Sequence, residues 1–178
     1  MDKKKWIILL VLFLLLLCMT LYRTIFRKVL HVNLSDITIE NKNYFNKYYE
    51  VELGLEKYLV EDILSNPDKY KFVYYVFDVK NISKSLRAFN LNIKPIFEDE
   101  FKKKVIWYNK HVGVAPIAVD PQKERNGIKL KMLVRTEKYS NEEIINLAKK
   151  VRFKVTGITG SSLLNIGYDS EFVEYRKK

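Results

Sequence analysis

The sequence predicts a mainly β chain: an N-terminal transmembrane helix followed by an antiparallel β-sandwich with two short inserted helices. Three observations predict it. Residues Trp6 to Tyr22 (WIILLVLFLLLLCMTLY) form a run without a single charge. Beyond it, short segments rich in aromatic and β-branched residues recur, with turn residues about every ten positions. Only two stretches space their apolar residues as helices do, and they do not alternate regularly with the strands, which argues against a parallel α/β fold.

The apolar run is roughly 25 Å long as a helix, near the lower limit for crossing a bilayer. Lys3, Lys4 and Lys5 precede it, and Trp6 and Tyr22 sit where interfacial aromatics are expected. A cleaved signal peptide shares the basic start, but this apolar part exceeds a usual h-region and no A-x-A-like site follows. Leu17 precedes Cys18 where lipoprotein processing needs a small residue. The run therefore reads as an uncleaved signal-anchor holding the chain in the cell membrane by a single pass. Lys3, Lys4 and Lys5 favour a cytoplasmic N-terminus, Arg23, Arg27 and Lys28 oppose it, and the short leading tail decides for N-in, C-out. Residues 1–32 become the tail, transmembrane helix and juxtamembrane connector; residues 33–178 become one extracytoplasmic domain.

That domain has 146 residues, enough for one real core. It holds 26 Lys+Arg against 20 Asp+Glu. Basic and acidic residues alternate, so the excess reads as a solvated surface and no nucleic-acid partner is expected. The one cysteine, Cys18, lies in the anchor, which excludes a disulfide or a cysteine-based zinc site in the domain. Asn33-Leu34-Ser35 and Asn81-Ile82-Ser83 match the glycosylation sequon, which matters only in a eukaryotic secretory context.

The elements follow in order. Thr24 to Val32 continues the helix or forms a connector. Asp36 to Glu40 alternates as a short strand. Tyr44, Phe45, Tyr48 and Tyr49 break up a polar stretch. Gly54 to Ser65 is an amphipathic helix with Leu55, Tyr58, Leu59, Ile63 and Leu64 on one face, ended by Asn66-Pro67-Asp68. Tyr70 to Asn81 (YKFVYYVFDVKN) reads as a strand covered on both faces. In Leu86 to Phe97, Phe89, Leu91 and Ile93 alternate with Asn90, Asn92 and Lys94. Lys104 to Tyr108 and Val114 to Val119 are shorter strands. Asp120-Pro121 opens a polar loop that reaches the turn pair Asn126-Gly127. Gly127 to Thr136 follows as a strand with Ile128, Leu130, Met132 and Val134 inward. Ser140 and Glu143 form a capping box for a second helix with Ile144, Ala148 and Val151 inward. Val151 to Thr156 and the segment holding Leu163, Leu164, Ile166, Phe172 and Val173 supply the last strands.

Residues 72–105 resemble the opening of telokin-like and FxLYD-type immunoglobulin-fold domains of Gram-positive cell-envelope proteins. The resemblance rests on FVYYVFDVKNIS and LNIKPIFEDEFKKKVI, with LKMLVRT and VRFKVTG suiting the returning half of an Ig-like sandwich. The F-x-L-Y-D string itself is absent, and the helix at 54–65 lies outside the pattern. The resemblance implies an anchored, non-catalytic extracytoplasmic module and brings no functional residues with it.

No residue set carries catalysis, a cofactor or a metal. His31 and His111 have no cysteine neighbour and no H-x-x-H spacing. Glu98-Asp99-Glu100 lacks the alternating ligand spacing of a calcium loop and precedes Lys102, Lys103 and Lys104. Gly157 to Ser162 lacks the Gly-Lys-Ser/Thr ending of a phosphate loop and reads as a turn. Tyr44 to Tyr49 with Lys42 and Lys47, and Trp107-Tyr108, are candidate contact surfaces or core fillers. The expected function is a membrane-anchored, non-catalytic binding or structural protein of the bacterial cell envelope. It binds the bilayer through residues 6–22 and an unidentified protein or envelope partner through its domain. The alternatives are an accessory subunit of a membrane secretion or conjugation machine, and an enzyme with a dispersed site such as Asp78 with Glu98.

Overall fold

The computed structural model describes residues 3–25, 29–40, 49–109, 117–160 and 165–176, with side chains for all of these except 3, 21–25, 49–50 and 165–170. Among them, β1 (Leu30–Ile39), β2 (Tyr70–Asn81), β5 (Glu124–Arg135) and β4 (Val105–Tyr108) form one antiparallel sheet in the order β1-β2-β5-β4. A second sheet has the order β3-β6-β7, from β3 (Arg87–Ile96), β6 (Arg152–Gly160) and β7 (Asn165–Val173). Lettered A to G along the chain, the described strands form a β-sandwich in which one sheet runs ABED and the other CFG, an order that fits an immunoglobulin-like sandwich.

The core lies between the sheets. β2 contributes Val73, Tyr75, Phe77 and Val79, and β5 contributes Ile128, Leu130, Met132 and Val134. Across from them, Phe153 of β6 packs edge-on against Tyr75 and Phe77, with ring centroids 4.7 and 5.0 Å away. The Tyr75 hydroxyl donates to the Ala148 carbonyl at 3.1 Å, and burial pushes its pKa well above the usual phenol value.

A smaller cluster covers the other face of the first sheet. Tyr70 and Phe72 of β2 and Leu133 of β5 pack there against Leu55, Val60 and Ile63. Two helices, α2 (Tyr49–Leu53) and α3 (Lys57–Ser65), supply this layer, so the expected two-sided burial of β2 is present. The helix expected over 54–65 is shorter: Gly54, at φ +63°, separates α2 from α3. Its inward face also differs. Val60 and Ile63 point in, while Tyr58 is 67% exposed and Leu64 43%.

Four further expectations change. β1 begins at Leu30, inside the expected connector, because Leu30 to Val32 already pair with Asn81 to Val79. Glu98-Asp99-Glu100 leads into α4 (Asp99–Lys102), which buries Phe101. Inserted helices therefore exceed the two expected. Asn126-Gly127 is not a turn between strands. It lies within β5 as a bulge opposite Asp78, with Gly127 at φ +73° and its N–H donated to Asp78 Oδ1 at 3.0 Å. Gly157 to Gly160 likewise belongs to β6.

Alternation in β3 also breaks. Phe89 pairs with Ile158 and Asn92 with Thr156, so β3 carries one extra residue, and Asn90 takes φ 52°. Ala88 rather than Phe89 consequently faces the core before the bulge, and Leu91 and Ile93 after it. Gly157 sits opposite. A Cβ there would lie 2.5 Å from Leu91 Cδ2, which explains glycine in mid-strand. Of the strand expected at 114–119, residues 114–116 lie outside the described residues, and Val119 forms a single bridge with Ala88.

α5 (Asn141–Ala148) starts with the capping box expected from Ser140 and Glu143, and Ile144, Ala148 and Val151 are buried. α1 (Lys3–Ile25) precedes the sandwich, and its residues Trp6 to Leu17 are all exposed. Among the described residues no helix is long and apolar enough to cross a membrane.

Candidate functional site

A strongly charged concavity lies at the pole of the sandwich where β2 starts and β5 ends. α4 runs through Lys103 into Lys104, and the Arg135 N–H donates to the Lys104 carbonyl at 2.8 Å. This bond sets Lys103 and Lys104 beside the end of β5. The chain then turns: Thr136 N–H donates to the Lys69 carbonyl at 2.7 Å, and Tyr139 N–H to the Thr136 carbonyl at 2.8 Å. The result is a cleft of about 250 Å³ lined by Lys103, Lys104, Arg135, Glu137, Lys138 and Tyr139.

Arg135 is held from both sides. Its Nη2 donates to the Tyr70 hydroxyl at 3.2 Å and lies 3.7 Å from Asp62 Oδ2, while Nε is 3.5 Å from Glu137 Oε1. The Tyr70 hydroxyl donates in turn to the Asp62 carboxylate, which also accepts from Asn66 Nδ2 at 2.9 Å. The bond from Tyr70, then those of Asn66 and the charges of Lys69 and Arg135, hold the Asp62 carboxyl below its ordinary value. Burial, then the bond to Asp62, raises Tyr70. The bond to Tyr70 raises Arg135, which stays protonated. Asp62 belongs to α3, Tyr70 to β2 and Arg135 to β5, so three elements fix one guanidinium.

The lysines are placed differently. Lys104 Nζ stands 3.4 Å above the centroid of the Tyr139 ring, a cation–π contact. Among the described residues, no carboxylate pairs with Lys103, Lys104 or Lys138. Periodicity identified none of these residues as a site. Lys103 and Lys104 belong to a basic run read with the acidic triplet before it, and Lys138 lies 34 positions further on. Only the pairing of β4 with β5 joins them.

The residues singled out in the sequence are scattered. His31 is exposed, with Nδ1 4.0 Å from Glu171 Oε1; Glu171 also accepts from the Val32 N–H at 2.9 Å. These residues, with Asn33, Phe172 and Arg176, border a second concavity of about 220 Å³. Asp78 is engaged by the β5 bulge, near the end of β2, whereas Glu98 leads through α4 to the Tyr70 end, so the pair is not brought together. Trp107 packs in the α3 cluster and Tyr108 against the main core. Asn81, half of a sequon, is buried: its Nδ2 donates to the Leu86 and Val119 carbonyls and its Oδ1 accepts from the Ser83 N–H. His111, Lys42, Tyr44, Phe45, Lys47, Tyr48 and Ser161-Ser162 lie outside the described residues. Among the described residues, no group of three His, Cys, Asp or Glu side chains converges to hold a metal ion.

No family model matches this chain, and no curated protein matches it. Two solved structures align along most of its length. A FixG-related protein from Vibrio parahaemolyticus shares 12% identity over 84% of this chain and 99% of its own, with a TM-score of 0.28. A protein from Archaeoglobus fulgidus shares 9% over 82% and 98%, with a TM-score of 0.26. Both scores are too low to carry an inference about fold or function.

Proposed function

We propose that this chain is a single-pass membrane protein whose immunoglobulin-like domain serves a non-catalytic binding or structural role in the bacterial cell envelope. One observation carries the reading. From Trp6 to Leu17 α1 is apolar on every side and all of these residues are exposed, so the domain does not cover them. A helix apolar all round needs an apolar surrounding, either lipid or other helices. The uncharged run Trp6 to Tyr22 of α1 is about 25 Å long as a helix, near the lower limit for crossing a bilayer.

The telokin-like or FxLYD-type assignment belongs to the same proposal. The strand order supports it, as does the turn after β2. There, buried Asn81 and Ser83 tie Val79-Lys80-Asn81-Ile82-Ser83 to the start of β3, with Ser83 Oγ accepting from the Leu86 N–H at 2.9 Å. Extraction of cell membranes with alkaline carbonate tests the anchor, and protease treatment of intact cells tests the side. The chain should stay in the carbonate pellet and lose its domain to external protease. Release into the supernatant would sink the anchor; a protected domain would reverse the orientation.

A second reading is an accessory subunit of a membrane machine. The sheet edges favour it: among the described residues, β4 and β7 each have a strand on one side only. Unpaired edges are templates for strand addition by a partner. Cross-linking in cells separates the readings, because a reproducible multi-subunit ladder supports assembly and an isolated monomer opposes it.

A further inference from the structure

We infer that the cleft between α4 and the β5–α5 turn is a binding site for a phosphate group, carried on a sugar, polyol or similar small ester. The inference rests on the binding-module reading only in naming a ligand for it. Four cations, Lys103, Lys104, Arg135 and Lys138, line this cleft against one carboxylate, Glu137. Arg135 is already matched by Asp62 and Glu137. Among the described residues no carboxylate matches the three ammonium groups, and like charges gathered round one concavity repel each other within a Debye length of about 8 Å. A cleft with such an excess of positive charge also raises the local concentration of counter-ions.

The shape of the site favours phosphate. Lysines approach an oxyanion as mobile point charges, whereas the planar guanidinium of Arg135 is tied back by Tyr70, Asp62 and Glu137. The cleft thus offers two adjustable donors, Lys103 and Lys138, with Lys104 over Tyr139 and the fixed Arg135 cation beside them, suited to a tetrahedral, multiply charged group. Tyr139, with Lys104 over one face, supplies a wall for the carbon skeleton of an ester.

Placement bears on the source of the phosphate. β1 joins the α1 side of the chain at Leu30, which pairs with Asn81 at the end of β2. The cleft lies at Tyr70, the start of β2, because Tyr70 pairs with Arg135. The eleven steps between span roughly 36 Å. That exceeds several Debye lengths, so the cleft is not built to face the headgroups next to the anchor.

The test is a titration of the isotope-labelled full chain in zwitterionic micelles, followed by amide chemical shifts. The probes are pyrophosphate and glycerol 3-phosphate, with anionic lipid doped into the micelle as a separate arm. Saturable shifts confined to residues 103–104 and 135–139 are expected with the free esters. Lys104→Ala with Lys138→Ala should weaken binding by about tenfold. The control pair Lys80→Ala with Lys123→Ala removes the same charge near the other end of β2 and should leave the affinity within about twofold. Failure to saturate, or equal weakening by both pairs, overturns the site. So do shifts that appear only with the doped lipid, which would assign the cleft to headgroups. Membrane extraction is read independently, so loss of this site leaves the anchor standing.

Discussion

β2 and β6 are central strands of their sheets, yet they are buried differently. β2 is covered on one face by the opposing sheet and on the other, near its start, by α3. β6 alternates buried Phe153 and Val155 with exposed Arg152 and Lys154. The first sheet is thus the middle layer of a partial three-layer structure, and the second faces solvent with its outer side. The charged cleft forms at the edge of the doubly covered sheet, where α3, α4 and the β5–α5 turn meet. A second layer of helix does more than bury area: it brings Asp62 within reach of Tyr70 and Arg135.

If the inter-sheet core dominates stability, its removal should cost most. Phe153→Ala leaves a cavity against Tyr75 and Phe77 and should destabilise the chain by about 3–5 kcal/mol, read by urea denaturation in micelles. Ile63→Ala in the α3 layer should cost about 2–3 kcal/mol, because a thin helical cover can settle into part of the space. Equal losses would show that the two layers form one cooperative unit. Gly157→Ala forces Leu91 to move at the β3 bulge and should cost about 1–3 kcal/mol. Ser140→Ala removes the α5 cap and should cost about 1 kcal/mol.

The smallest effect is on pH dependence. Asp62 and Glu143 are held below their ordinary values of 3.8 and 4.5, Asp62 by Tyr70 first and Glu143 by Ser140. A lowered carboxylate contributes stability that is fully present above its unfolded value and lost as pH falls through its folded value. The urea midpoint should therefore be flat near neutrality and drop in acid, below those values. Asp62→Asn should make that drop shallower; an unchanged slope would show that the Asp62 network adds nothing to folding.

Much of the fold is legible locally. The apolar stretch Phe72 to Phe77 of β2 reports its two covers, and Ser140 with Glu143 marks the start of α5. The misreadings fall where one residue breaks a period. Asn90 shifts the alternation of β3 by one position, so Phe89 and Ala88 exchange roles. Asn126-Gly127 has the composition of a hairpin turn, yet the same left-handed glycine serves a bulge when a partner strand lies alongside. The lysine cleft was illegible for a third reason, since its parts lie on two segments that only strand pairing brings together.

The sequence by itself determined an uncharged N-terminal run, a β-rich domain large enough for a real core, and the capped start of α5. These depend on composition and on neighbours within a few positions. Tertiary structure alone decided the strand order, the bulges in β3 and β5, the half-buried face of α3 and the charge of the cleft. The physical reason is range. Hydrophobic periodicity is a local property, but register, bulges and converging charges depend on which distant backbone fills the neighbouring position.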